Sequence, residues 1–214
     1  MDLRVLESPK ETTRRNFMKV LTATGVSAAL ASRFTGSALA QGGPSDLDIL
    51  QLALTAEYLA TDVYTRALMV AFPADIKGYL AEALKQEDAH VKALMDTISG
   101  PFAAKPVARP MFDYGSLTFT SDNQRKILET MIALETAFTG AYLGAVPLIQ
   151  NKAVLSAAAS IAMNEEAHLT TLRGGLIDLG GKVEGPQVPN GRAFGVAITP
   201  EQATKAVSGF IKKM

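Results

Sequence analysis

The sequence predicts an all-α protein: four long helices forming two hairpins joined by a long crossover, a four-helix bundle, followed by a short C-terminal helix. Three observations predict it. From Ser45 onward apolar residues recur at three- and four-residue spacing, the period of a helix and not of a strand. Proline and glycine breakers cut that pattern into four long pieces. The two halves also repeat the same chemically distinctive residues at one fixed offset.

Before the bundle, residues 1–40 read as an export address. Thr13 to Lys19 spell T-R-R-N-F-M-K, the apolar run Val20 to Ala31 follows, and Ala38-Leu39-Ala40 precedes Gln41. A basic region, a short apolar region and an A-x-A site are the three parts of a cleaved signal, and paired Arg14 and Arg15 resemble the twin-arginine motif. The apolar region has 12 residues, whereas a membrane span takes roughly 20. The expected mature protein therefore starts at Gln41 and resides in the periplasm or cell envelope, its partner in transit being the twin-arginine translocase. That route carries folded proteins, often with a cofactor inserted, which favours a bound metal or prosthetic group.

The bundle is expected over residues 45–180. Leu47, Leu50, Leu54, Tyr58, Leu59, Val63 and Leu68 mark the first helix; Ser45 with Asp48 caps its start, and it should stop near Phe72-Pro73. The second runs from about Ala74 to Ser99 and ends at Gly100-Pro101. Gly100 to Thr120, with three prolines and no period, is the crossover. Ser121 with Gln124 reads as a capping box for a third helix reaching about Gln150, where Pro147 signals a kink or early end. Asn151 opens a fourth, stopped at Gly180-Gly181. The tail, 181–214, is Pro/Gly-rich until Thr199-Pro200-Glu201-Gln202 caps the terminal helix.

Composition narrows the chemistry. The 214 residues carry 21 basic and 21 acidic side chains, and cleavage after Ala40 leaves 15 against 18. This mild acidity argues against nucleic acid as a partner. Cysteine is absent, which removes thiolate zinc sites, iron–sulfur clusters and a cysteine nucleophile. His, Asp and Glu are the strong metal ligands that remain.

The two histidines of the chain occupy the same motif, Glu87-Asp88-Ala89-His90 and Glu165-Glu166-Ala167-His168, which puts Glu and His on one helix face a turn apart. Glu57 precedes Glu87 by 30 residues and Glu135 precedes Glu165 by 30, so the halves are offset by 78; Tyr64 and Tyr142 repeat with them. This is the pattern of a duplicated hairpin, and it gives His90 and His168 equivalent places. Glu57 and Glu87 each lie about 22 Å from the first turn at 1.5 Å per residue, level across an antiparallel pair. Four carboxylates and two imidazoles should meet mid-bundle, where two divalent cations would cancel four charges too costly to bury alone. The plain alternative is a bundle with surface Glu-His pairs and solvated glutamates. Tyr64 and Tyr142 read first as core residues, and otherwise as hydrogen-bond donors behind the ligands or redox-active groups. Asp88 and Glu166 should face solvent or a neighbouring helix.

With these residues assembled, Glu57, Glu87, His90, Glu135, Glu165 and His168 resemble the ligand set of the ferritin-like superfamily over about residues 45–180, nearest to small exported ferritin-like domain proteins, a group that includes desiccation-related plant proteins. The resemblance implies a di-iron or di-manganese carboxylate centre with two Fe or Mn ions, Glu87 and Glu165 bridging and Glu57 and Glu135 terminal. Two departures matter. Rubrerythrins carry a further glutamate where this chain has Phe138, and manganese catalases share the six ligands in much longer chains. The implied activity is redox chemistry on O₂ or H₂O₂, oxidant removal or metal oxidation; the alternative is a non-catalytic metal-binding or structural stress protein of the envelope. Catalytic residues beyond the ligands, the choice of metal and the oligomeric state stay open in the sequence.

Overall fold

The computed structural model describes residues 44–183 and 194–212, so the expected signal, its cleavage site and part of the tail lie outside the described residues. Among the described residues there are five α-helices: α1 Asp46–Leu68, α2 Ala74–Ser99, α3 Gln124–Ala145, α4 Lys152–Asp178 and α5 Pro200–Ser208. There is no strand among the described residues, and no described helix is long and apolar enough to cross a membrane.

Local chemistry accounts for most boundaries. Ser45 Oγ accepts the Asp48 amide at 3.2 Å while the Asp48 carboxylate accepts the Ser45 amide at 2.8 Å, the reciprocal cap that satisfies two otherwise orphaned donors. Asn151 caps α4 by accepting from Ala153 and Val154, and Thr199 with Gln202 caps α5 behind Pro200. Gly180, at φ +73°, takes the left-handed position that ends α4.

Two expectations change. The Ser121–Gln124 box does not form: Ser121–Asn123 is a single 3-10 turn, and Gln124 Nε2 instead donates to the Ala71 carbonyl at 2.6 Å, tying the start of α3 to the first hairpin turn. Helix α3 stops at Ala145, short of Gln150, as Pro147 two residues on has no amide to continue the ladder. The turn it leaves is held by Asp46, whose carboxylate accepts from the amides of Gln150 and Asn151.

Helix α1 pairs with α2 and α3 with α4; the hairpins then meet along α1 against α3 and α2 against α4, while α5 lies on α3 and α1. The backs of α1 and α3 are covered differently. On α1, Gln51 holds the crossover through the Lys105 carbonyl and the Val107 amide, and Asp62 accepts from both Arg66 and Tyr114. Seventy-eight residues later Gly140 and Gly144 replace Asp62 and Arg66. There the tail lies directly on α3: the Ile198 amide donates to the Gly140 carbonyl at 2.9 Å, and a Cβ at Gly144 would overlap the Ile198 carbonyl. The chain end is tied back by the Phe112–Ile211 bridge.

Candidate metal centre

Each long helix presents one buried stripe to the bundle axis, and each stripe is apolar except in its middle. On α1 the stripe reads Leu50, Leu54, Glu57, Thr61, Tyr64; on α4 it reads Val154, Ala158, Ile161, Glu165, His168, Leu172. Helices α2 and α3 contribute Glu87 and Glu135 in the same way. All four glutamates are at most 1% exposed and His168 is 2% exposed, which excludes the reading as solvated surface pairs. His90 is the partial exception, with a side chain 12% exposed.

The structure brings all six residues together. They form two overlapping groups that could each hold a metal ion, Glu57, Glu87, His90, Glu165 and Glu87, Glu135, Glu165, His168, with ligand atoms within 4.8 Å of one another in each. Glu87 and Glu165 belong to both. His90 Nδ1 lies 3.4 Å from Glu57 and from Glu87 and 3.2 Å from Glu165; His168 Nδ1 lies 2.9 Å from Glu87 Oε1.

Tyr64 and Tyr142 are buried core residues, and each also donates to a ligand carboxylate of the other hairpin. The Tyr64 hydroxyl donates to Glu135 Oε1 at 2.6 Å, and the Tyr142 hydroxyl donates to Glu57 Oε1. In both glutamates this engages Oε1 and leaves Oε2 unpartnered, facing the cluster. Burial, and then the nearby carboxylates, push both phenols well above their usual value, so both stay protonated donors.

Sequence reasoning missed Gln86 and Asn164. Gln86 Oε1 lies 2.8 Å from His168 Nε2 and accepts from Asn164 Nδ2 at 3.1 Å. With the Gln86 oxygen as acceptor, His168 carries its proton on Nε2 and turns the Nδ1 lone pair on Glu87. A signal existed: Gln86 and Asn164 are also 78 apart, each directly before a glutamate of the motif. Asp88 is exposed and Glu166 half-buried, in keeping with their positions off the inner face.

The equivalence of the two histidines does not survive folding. Tyr79 covers His168, its ring edge-on at 6.4 Å and its hydroxyl donating to the His168 carbonyl. The residue 78 positions after Tyr79 is Ala157, which has no ring to place over the other site. Burial, then the charge of His90, brings His168 down to about 4. Burial works the same way on His90, but the carboxylates of Glu165, Glu57 and Glu87 outweigh it and push it up to about 12.

The carboxylates divide similarly. Burial, then the charge of Glu57, raises Glu87 well above the usual range, and burial with the charge of Glu165 does the same to Glu135. Burial raises Glu165 to about 8. Glu57 alone is lowered: burial opposes its ionisation, but the close approach of His90 and Glu87 and the hydrogen bond from Tyr142 outweigh it. Without metal, burial and mutual repulsion therefore favour the acid forms of Glu87, Glu135 and Glu165, while Glu57 and His90 favour their charged forms.

Eight inward-facing atoms of these six residues have no aligned hydrogen-bond partner: Glu57 Oε2, both oxygens of Glu87, His90 Nδ1, Glu135 Oε2, both oxygens of Glu165 and His168 Nδ1. Buried polar atoms are rarely left so, and here all of them converge. Hard carboxylate oxygens with one imidazole per group suit Fe or Mn, so the residues fit the implied ions.

Comparison with known proteins agrees with this geometry. No curated protein matches the chain, whereas the model of the ferritin-like domain matches residues 45–177, which run from the cap of α1 to the end of α4. The chain belongs to the ferritin-like domain family.

Proposed function

We propose that this is an exported di-metal carboxylate protein in which two Fe or Mn ions react with O₂ or H₂O₂. The observation that carries the reading is the convergence of four buried carboxylates and two imidazoles in two overlapping groups, with eight of their atoms lacking an aligned hydrogen-bond partner. The membership of Glu87 and Glu165 in both groups supports bridging roles for them, and that of Glu57 and Glu135 in one each supports terminal roles.

When bound, two ions cycling between +2 and +3 supply two electrons, enough to reduce O₂ and two protons to H₂O₂ or H₂O₂ and two protons to two waters. The residues of the chain prepare for this. Tyr64 and Tyr142 hold one oxygen of each terminal carboxylate and leave the other for the metal. Gln86 sets His168 as an Nδ1 ligand. The surrounding leucines, isoleucines and valines exclude water, which strengthens the attraction between carboxylate and cation.

Elemental analysis of the native protein, followed by O₂ and H₂O₂ consumption by the reduced, loaded form, tests the proposal. About two ions per chain and oxidant loss are expected. Loaded protein inert to both oxidants would transfer the reading to non-catalytic metal binding in the envelope. Export is tested separately: lysine at Arg14 and Arg15 should trap the precursor inside the cell, and normal export of that variant would refute the address.

A further inference from the structure

The 78-residue repeat places two clefts at matching positions between α2 and α4, and they are not alike. Ile76, Leu128 and Leu172 line the first, and their counterparts Val154, Leu50 and Leu94 line the second. The first is a volume of about 350 Å³ bounded by Tyr79 and rimmed by Asp75, Thr170, Thr171 and Asp178. Tyr79 closes its floor, since the ring lies over His168 and the hydroxyl is tied to the His168 carbonyl. In the second, about 150 Å³, Ala157 stands in the place of Tyr79 and the cleft runs down to Tyr142, whose hydroxyl holds Glu57.

The walls of this second cleft offer little to a polar ligand. Leu50, Leu94 and Ile161 are buried in its depth and Ala93 and Ala157 stand exposed on its walls. The polar atoms beside them are already engaged: the Thr97 hydroxyl donates to the Ala93 carbonyl at 2.7 Å, and the Asn151 side-chain oxygen caps α4. H₂O₂ would have to give up its hydrogen bonds to water along these walls at a cost of a few kcal/mol, whereas O₂ has none to lose. An apolar cleft of such a volume is large enough for a gas molecule or a small hydrocarbon.

We infer that the cleft between α2 and α4, open at Ala157 and floored by Tyr142, is a binding site for dioxygen on its way to the centre. The inference deepens the redox reading and rests on it for the word dioxygen, but the cleft as an apolar gas site is testable alone. Xenon is the probe. The full chain is compared with Ala157→Tyr, which copies the sealed half, and with Ala93→Phe, which fills the facing wall; melting and metal content establish that each variant is folded and loaded. Crystals under xenon pressure should show xenon against Tyr142 in the wild type and none in the variants. Stopped-flow oxidation of the ferrous-loaded protein by O₂ should slow about tenfold in the variants, the equivalent of about 1.4 kcal/mol of barrier, with the H₂O₂ reaction slowed less. Xenon absent from the wild-type cleft, or O₂ oxidation unchanged in folded variants that have lost xenon, overturns the assignment. Wild type that binds xenon there but reacts with neither oxidant refutes the redox reading and leaves the gas site standing.

Discussion

Loading the metal-free protein with two divalent ions should release at least about two protons at pH 7. The perturbation is the addition of Fe²⁺ or Mn²⁺ under anaerobic conditions, and the magnitude follows from the cluster. His90, held near 12, carries a proton that a ligand nitrogen must give up. Glu165, at about 8, is mostly protonated and gives up a second, and the upward shifts of Glu87 and Glu135, caused by burial and then by a neighbouring carboxylate, add to the count. Glu57 and His168 contribute none, the first being ionised and the second neutral. The overall binding constant for the pair should then rise by at least about two orders of magnitude per pH unit near neutrality. A weakly buffered titration with an indicator dye, or calorimetry in buffers of different ionisation enthalpy, counts the protons. Solvated glutamates would already be ionised and the imidazoles largely neutral, so a release of fewer than one proton per two ions would refute the reasoning.

Further outcomes follow from single contacts. Tyr142→Phe and Tyr64→Phe remove the donors to Glu57 and Glu135, and each should weaken metal retention about 10- to 100-fold in a chelator competition. Gln86→Leu removes the acceptor of His168 Nε2 and strands a buried N–H, which should lower affinity similarly and cost about 1–3 kcal/mol in denaturant unfolding; Asp88→Ala next to it should do neither. Gly144→Ala drives a Cβ into the Ile198 carbonyl, so the tail must lift from α3, and the melting temperature should fall by several degrees, about 1–3 kcal/mol of overpacking. In the metal-free protein Glu165 rises from 4.5 to about 8 on folding, so its contribution is most favourable below pH 4.5 and is lost as pH climbs to 8. The melting temperature of that form should therefore drop between pH 5 and 8, and metal should reverse the trend.

What the sequence determined by itself is what local chemistry and repetition encode. Helical periodicity, the Ser45, Asn151 and Thr199 caps and the proline and glycine stops depend on neighbours a few residues apart, and the structure has all of them. The 30- and 78-residue spacings carried more, because two equal hairpins folded about a pseudo-two-fold have to bring their middles together. That was enough to place all six candidate ligand residues in one cluster. Failures of local reading came where a distant partner competed: Gln124 gave up its box for the Ala71 carbonyl. The tertiary structure alone decided what makes the halves differ. Whether Tyr64 reaches Glu57 or Glu135, whether Gln86 meets His168, and whether a ring or a methyl group covers a histidine depend on helices that are neighbours in space and far apart in sequence. Repetition predicts equivalence, and each side chain that breaks it, Tyr79 against Ala157 or Asp62 against Gly140, acquires its meaning only from what packs on it.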